Sequence, residues 1–196
     1  MMFLARRPAP HEIERFLHAS QGLPLSYGPI GIVTSHTAGR RLDEATVAVG
    51  RGAADFERAR AALAAWKQFD IGWVETFPRD APVTAGTVVA VLIRHCGFWS
   101  INGCRVLYGV GSPTDATRFG FAYGTLTNHA ESGEELFEVF VDPQTQDVVY
   151  RIRAISWPQT ALTRVGQPIV RALQARFRRD SVAAIAHATR AAGAPR

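Results

Sequence analysis

Lysine is nearly missing from this chain: Lys67 is the single lysine among 22 basic residues, and the rest are arginine. Arginine offers a planar fork suited to carboxylates and phosphates. A replacement this complete nevertheless reads more simply as a compositional bias than as a recognition device. Cysteine is scarce too. Two residues, Cys96 and Cys104, make neither a disulfide framework nor a four-ligand zinc site. They flank an expected hairpin turn, so a cross-strand bridge is conceivable, but two reduced thiols are the favoured state. No apolar run approaches the roughly 18 residues that a membrane span requires. The opening run Met1 to Ala5 is followed, not preceded, by Arg6 and Arg7, the reverse of a secretory signal, which points to a cytoplasmic protein. There is no G-x-S-x-G elbow, no G-x-x-x-x-G-K-[ST] phosphate loop and no dinucleotide fingerprint. These absences remove the commonest hydrolase and nucleotide-binding chemistries, and nothing implies a cofactor.

What is present is an ordinary globular composition: 196 residues, 47% apolar and 20% charged. That is enough chain for a good core and too apolar for disorder. The expectation is a single domain over 1–196, with a core over about 24–189 and a helical extension at 1–23. The net charge of +5 is uneven, because residues 151–196 hold nine arginines against one acid, Asp180. Such a surface could attract an anionic partner. Nucleic acid is disfavoured, since no recognised nucleic-acid motif with stacking aromatics is present. Oligomeric state is not legible.

Periodicity changes along the chain. Pro10 to Ala19 reads as a short helix with Ile13, Phe16 and Leu17 on one face, stopped by Gly22 and Pro24. Tyr27 to Arg41 reads as irregular or edge structure, and Thr46 to Val49 as a short strand. Phe56, Ala59, Leu63 and Trp66 recur at helical spacing behind Asp55, and Gly72 breaks that pattern. Strands then follow over Thr87 to Arg94, Ile101 to Val110, Phe119 to Thr127, Glu135 to Val141 and Val148 to Ile155. Only turns separate them, so they pair antiparallel. Gly109 to Pro113 reads as a turn. From Pro168 a helix of about 20 residues, roughly 30 Å, presents Val170, Leu173, Phe177, Ala184 and Ala188 on one face, with Arg171, Arg178 and Arg179 mostly off it. Residues 191–196 read as a frayed tail. The fold class is α+β: a curved antiparallel sheet of about six strands with helices on one face, gripping a long C-terminal helix.

Strand alternation assigns faces. Phe121, Tyr123 and Thr125 share one face of their strand, and Glu135 and Phe137 share one face of the next. Tyr150 joins them from the last strand. An apolar interior with a few polar groups is the composition of a small-molecule site, although aromatic stripes more often fill a core. Between two of these strands lies Thr127-Asn-His-Ala-Glu-Ser-Gly-Glu-Glu135, with Ser132-Gly133 as the expected bend. It holds His129 and three carboxylates within seven residues. Such proximity tends to raise the pKa of a carboxyl and of His129 alike. His129, with Glu131 or Glu135 to orient it, is a candidate general acid or base. Trp99, Asn102 and Arg105 are candidate ligand contacts from the preceding hairpin. A solvated turn is the bland alternative. A metal is not expected: His129 and Glu131 share a strand face, but no clear third ligand accompanies them.

The stretch FAYGTLTNHAESGEELF, with FERARAALAAWKQF before it and YRIRAISWP after it, resembles the uncharacterised protein family 0548, also termed DUF1990, of bacteria and plants. The most specific matches are Tyr123 to Leu126, His129, Ala130, Gly133 to Glu135 and Phe137. Pro168, Arg171, Gln174, Arg176, Phe177 and Ser181 fit a later pattern. Trp157 departs from it, standing where the family is expected to carry arginine. The resemblance implies no reaction. More distantly, the element order resembles the helix-grip arrangement of the START and pollen-allergen proteins. The functional expectation is a domain that encloses an apolar or amphipathic ligand. An acid–base enzyme of cyclase, dehydratase or hydrolase type is the alternative, and anionic-partner binding through the arginine-rich C-terminal region is the weaker one.

Overall fold

The computed structural model describes residues 2–35, 40–112, 114–159 and 164–190. Strand β1 (Met2–Leu4) and helix α1 (Pro10–Ser20) come first, then a one-turn helix α2 (Ile32–Ser35), β2 (Asp43–Arg51) and α3 (Gly52–Ala64). A 3-10 turn at Lys67–Phe69 leads into β3 (Val74–Phe77). The meander β4 (Val88–His95), β5 (Phe98–Val110), β6 (Arg118–Thr125), β7 (Glu131–Val141) and β8 (Asp147–Pro158) follows, and α4 (Gln167–Thr189) closes the chain. Seven strands form one antiparallel path, β2-β8-β7-β6-β5-β4-β3, with β1 paired to β5 off that path. The tail at 191–196 and Pro113 of the 109–113 turn lie outside the described residues.

Local chemistry explains the element ends. Pro10 opens α1, where its missing N–H costs nothing, and the Glu12 carboxylate accepts the Ala9 N–H at 2.6 Å. The Asp55 carboxylate does the same for the Arg51 N–H at 2.6 Å at the start of α3. Between β4 and β5, Cys96 (φ 49°) and Gly97 (φ 80°) make a two-residue turn with positive φ at both positions, which suits the twist of a hairpin. Register shifts between Val106 and Tyr108 in β5, and between Ala48 and Gly50 in β2, mark irregularities that add bend to the sheet.

The concave face holds the main core. Phe56, Ala59 and Leu63 of α3, with Trp66 and Phe69 after it, pack against Val106, Phe121, Phe137, Val139 and Tyr150 of the sheet. The C-terminal half of α4 is anchored there. Ile185 is fully buried, the Tyr150 and Ser181 hydroxyls lie 2.9 Å apart, and Arg58 Nε donates to the Thr189 carbonyl at 2.7 Å. At 23 residues, α4 runs about 35 Å and spans the sheet.

Three expectations are corrected. Helices cover both faces of the sheet: α1 packs Ile13 and Leu17 against Val88, Ala90, Leu92 and Ile101, and Val33 of α2 meets Ala122 and Leu136. The continuous apolar run Val88 to Ile93 is the reason, because a strand apolar on both sides needs cover on both. The sheet gains β1 and β3, both too short to show a period. The bend expected at Ser132-Gly133 does not exist, because β7 begins at Glu131. Gly133 instead lets two strands close up, since a Cβ there would meet the Ile155 carbonyl oxygen at 2.1 Å.

The cysteines do not face one another. Cys104 is buried opposite Val89, whereas Cys96 is exposed in the turn, and both are free thiols.

Candidate functional site

The N-terminal half of α4 carries no buried residue, whereas its C-terminal half buries Ser181, Ile185 and Thr189. Beneath the N-terminal half lies a cavity of about 600 Å³. Its walls are Val91 and Ile93 of β4, Leu173 and Phe177 of α4, and Phe69 and Trp73 from the segment after α3. An aromatic cluster packs beneath it. Phe69 and Phe137 have centroids 5.4 Å apart, Phe121 and Phe137 5.7 Å, and Phe69 and Phe177 5.1 Å. The cavity reaches the surface at Phe98 and Ile169, which line it and are 52% and 53% exposed.

Sheet register places the polar groups. Tyr123, Glu135, Ala154 and Asp43 form one row across β6, β7, β8 and β2. The Tyr123 hydroxyl donates to Glu135 Oε2 at 2.7 Å. Glu135 is surrounded by protein yet borders the cavity, and this desolvation pushes its pKa up to about 7. The Tyr123 hydrogen bond and the Arg178 charge pull the other way without cancelling it. Desolvation likewise raises Glu131, whose Oε2 accepts from Gln174 Nε2 at 2.7 Å and Ser156 Oγ at 3.2 Å. Gln174 Nε2 also reaches Ser156 Oγ at 2.9 Å, so this one side chain ties the roof helix to the sheet.

His129 lines the cavity, but not as part of a carboxylate–imidazole pair. Its Nδ1 lies 2.9 Å from the Glu131 backbone nitrogen and 3.0 Å from the Glu131 carbonyl oxygen, so the ring is held by the Glu131 backbone. Burial lowers its pKa to about 4, so the ring is neutral near pH 7. This reverses the expectation of a raised value: burial outweighs the carboxylates, which point elsewhere. Glu134 points away to the convex face, where it accepts from the Tyr27 and Tyr108 hydroxyls at 2.7 Å each and from the Gly31 N–H at 2.9 Å.

Of the residues singled out from sequence, Tyr123, Thr125, Asn102, His129, Glu131 and Glu135 border the cavity. Thr125 is committed, its hydroxyl accepting the Gly133 N–H at 2.9 Å. Asn102 Oδ1 accepts the Ala130 N–H at 3.2 Å. Phe121, Phe137 and Tyr150 are fully buried and form the packing below the cavity, not its wall. Arg105 and Trp99 lie off it. Arg105 Nη2 donates to the carbonyls of Gln21 and Leu23, and Trp99 packs with the cluster around Ile13. Their strand neighbours alternate inward, so these two face the convex side. Asp43, Ser156, Gln174 and Arg178 were missed. Gln174 and Arg178 sit one turn apart beside Leu173 and Phe177, a stripe that a helical projection shows. Arg178 thus turns inward, where an off-face position was expected. No group of three or more metal-ligating side chains occurs among the described residues.

Comparisons with known proteins agree with this architecture. A family model described as a domain of unknown function, DUF1990, matches residues 26–184. The chain belongs to this family. A relative named UPF0548 protein from Dictyostelium discoideum is 29% identical over 199 residues, covering 92% of each chain. Another from Deinococcus radiodurans is 35% identical over 191 residues, covering 89% of this chain and 92% of its own. Among solved structures, the ZhuI aromatase/cyclase from Streptomyces sp. R1128 superposes with a TM-score of 0.52 at 14% identity, covering 78% of this chain and 98% of the other. The curved antiparallel sheet closed by a C-terminal helix is a helix-grip-like arrangement. Trp157 stacks under the Arg40 guanidinium at 3.5 Å. No helix among the described residues is long and apolar enough to cross a membrane.

Proposed function

We propose that this DUF1990 protein binds a small apolar or amphipathic molecule between the sheet and the N-terminal half of α4. The observation that carries this reading is the cavity itself. A space of about 600 Å³ falls within the range of small-molecule sites, and mostly apolar walls with a few convergent polar groups are their usual composition. A core of this size would collapse onto such a space if only stability shaped it, since unfilled volume costs packing energy. Likeness of fold to an aromatase/cyclase is compatible with the reading but speaks only for the architecture.

The test is titration with the neutral fluorescent probe N-phenyl-1-naphthylamine, run on the wild type and on Leu173→Trp. The larger side chain would occupy the cavity from the roof helix, where the backbone is least constrained by packing. Saturable probe binding by the wild type, lost in a variant that keeps its circular dichroism, is the expected result. A wild type that binds no probe, or a variant that binds it equally well, would sink the proposal.

A second reading is acid–base catalysis on the bound molecule. Glu135, titrating at about 7 with the Tyr123 hydroxyl 2.7 Å away, has the pKa that suits a general base near neutrality. His129 would then serve through Nε2 as a neutral hydrogen-bonding group. Turnover of a bound candidate substrate that vanishes in Glu135→Gln, while its binding persists, would favour this reading over simple binding.

A further inference from the structure

The charged groups bordering the cavity are unbalanced. Asp43 comes from β2, Glu131 and Glu135 from β7, and Arg178 from α4; His129 is neutral, and His95 sits at the end of β4 with its pKa lowered by burial. Asp43 Oδ1 pairs with Arg41 Nε at 3.1 Å and lies 3.9 Å from Arg178 Nη2, so Asp43 is offset from outside the cavity and Arg178 is partly shared with it. Glu131 already holds two donors, from Gln174 and Ser156. Glu135 holds a single donor. Its Oε2 takes the Tyr123 hydroxyl, but its Oε1 accepts no hydrogen bond among the described residues, and it borders open space.

We propose that the ligand is a cationic amphiphile, an amine on an apolar body, with its ammonium group donating to Glu135 Oε1. This rests on the cavity-binding reading and narrows it to a chemical class. A carboxylate in a desolvated pocket needs a donor on its open side. A neutral apolar ligand would displace the remaining water and leave that oxygen bare. An anionic ligand would face the carboxylates of Glu131 and Glu135, with only Arg178, partly engaged by Asp43, to offset them. An ammonium supplies both the donor and the opposing charge, in a setting where Coulombic attraction is stronger than in water. The apolar walls, Phe69, Trp73, Val91, Leu173 and Phe177, then take the body of the molecule.

The experiment is calorimetric titration of decylamine, decanol and decanoate, below their micellar concentrations and at about pH 8. Decylamine should bind at least about tenfold more tightly than decanol, a difference of roughly 1.4 kcal/mol, with decanoate weakest. Glu135→Gln should bring the amine's advantage down to less than about threefold, and Arg178→Gln should enlarge it. Two opposite shifts cannot both come from damage to the fold. Lowering the pH below about 7 should weaken the amine as Glu135 takes up a proton, while decylamine itself stays charged. If decanol or decanoate matches decylamine, the amine assignment is overturned and cavity binding stands. If none of the three binds, both fall.

Discussion

Glu135 and His129 border the same cavity, and burial moves their pKa values in opposite directions. Glu135 rises from 4.5 to about 7, and His129 falls from 6.5 to about 4. The consequences for stability have opposite signs. Between pH 4.5 and about 7 the folded state holds a proton on Glu135 that the unfolded state has released, so stability falls as pH rises through that window. Between about pH 4 and 6.5 the unfolded state holds a proton on His129 that the folded state lacks, so stability rises with pH there. Each contribution is worth about 1.4 kcal/mol per pH unit, or about 3 kcal/mol in total. In the wild type the two nearly cancel between pH 4.5 and 6.5, so the wild-type curve alone conceals them. Single variants expose them. Relative to wild type, Glu135→Gln should gain stability as pH rises, ending about 3 kcal/mol ahead near pH 8; for a chain of this length that is roughly 6 to 12 °C in Tm. His129→Asn, which keeps an acceptor for the Glu131 N–H, should lose ground with rising pH by a comparable amount. Urea unfolding at half-unit pH steps measures both slopes. Variants whose slopes relative to wild type share a sign, or that show no pH dependence, would refute the placement of both groups in a desolvated site.

Three further outcomes follow from individual contacts. Tyr123→Phe removes the hydroxyl that favours ionised Glu135, so the Glu135 titration midpoint should move above about 7 in carbon-detected NMR. Glu138→Ala should cost about 2 kcal/mol, seen as a lower urea midpoint. Its carboxylate is fully buried and receives Arg118 at 2.7 Å and Arg151 at 2.6 Å, but both arginines keep partial access to water, which reduces the loss. Gly133→Ala should cost about 2 to 3 kcal/mol by the same assay, because the new Cβ would press on the backbone of β8 at Ile155 and Ser156, which cannot move without breaking the sheet.

Elements with a strong local period were readable from sequence, and side-chain placement was readable only where a strand's own alternation decided it. The helix pattern of Phe56, Ala59 and Leu63 and the alternating strands from Phe119 onward each repeat over several residues, so tertiary contacts had little to override. β1 and β3, of three and four residues, carry no such repeat and exist because β5 and β4 offer them an edge. The alternation in β6 put Tyr123 on the Phe121 face, and that in β7 put Glu135 on the Phe137 face. It could not say how far along the strands the core stops and the cavity starts. That boundary is set by α4, whose C-terminal half reaches Tyr150 through Ser181 while its N-terminal half stands over Glu135. Asp43 enters the site because β2 registers against β8 at Ala154, which in turn registers against Glu135, a pairing across 92 residues of chain. His129 shows the same limit from the other side. Its sequence neighbours are acids that should raise its pKa, but Glu134 turns to the convex face, Glu131 turns to Gln174, and burial alone decides the sign. The charges of this cavity are therefore a property of register and helix placement. A substitution at a remote determinant such as Ser181 should alter the titration of Glu135, read by carbon-detected NMR, without touching its carboxylate.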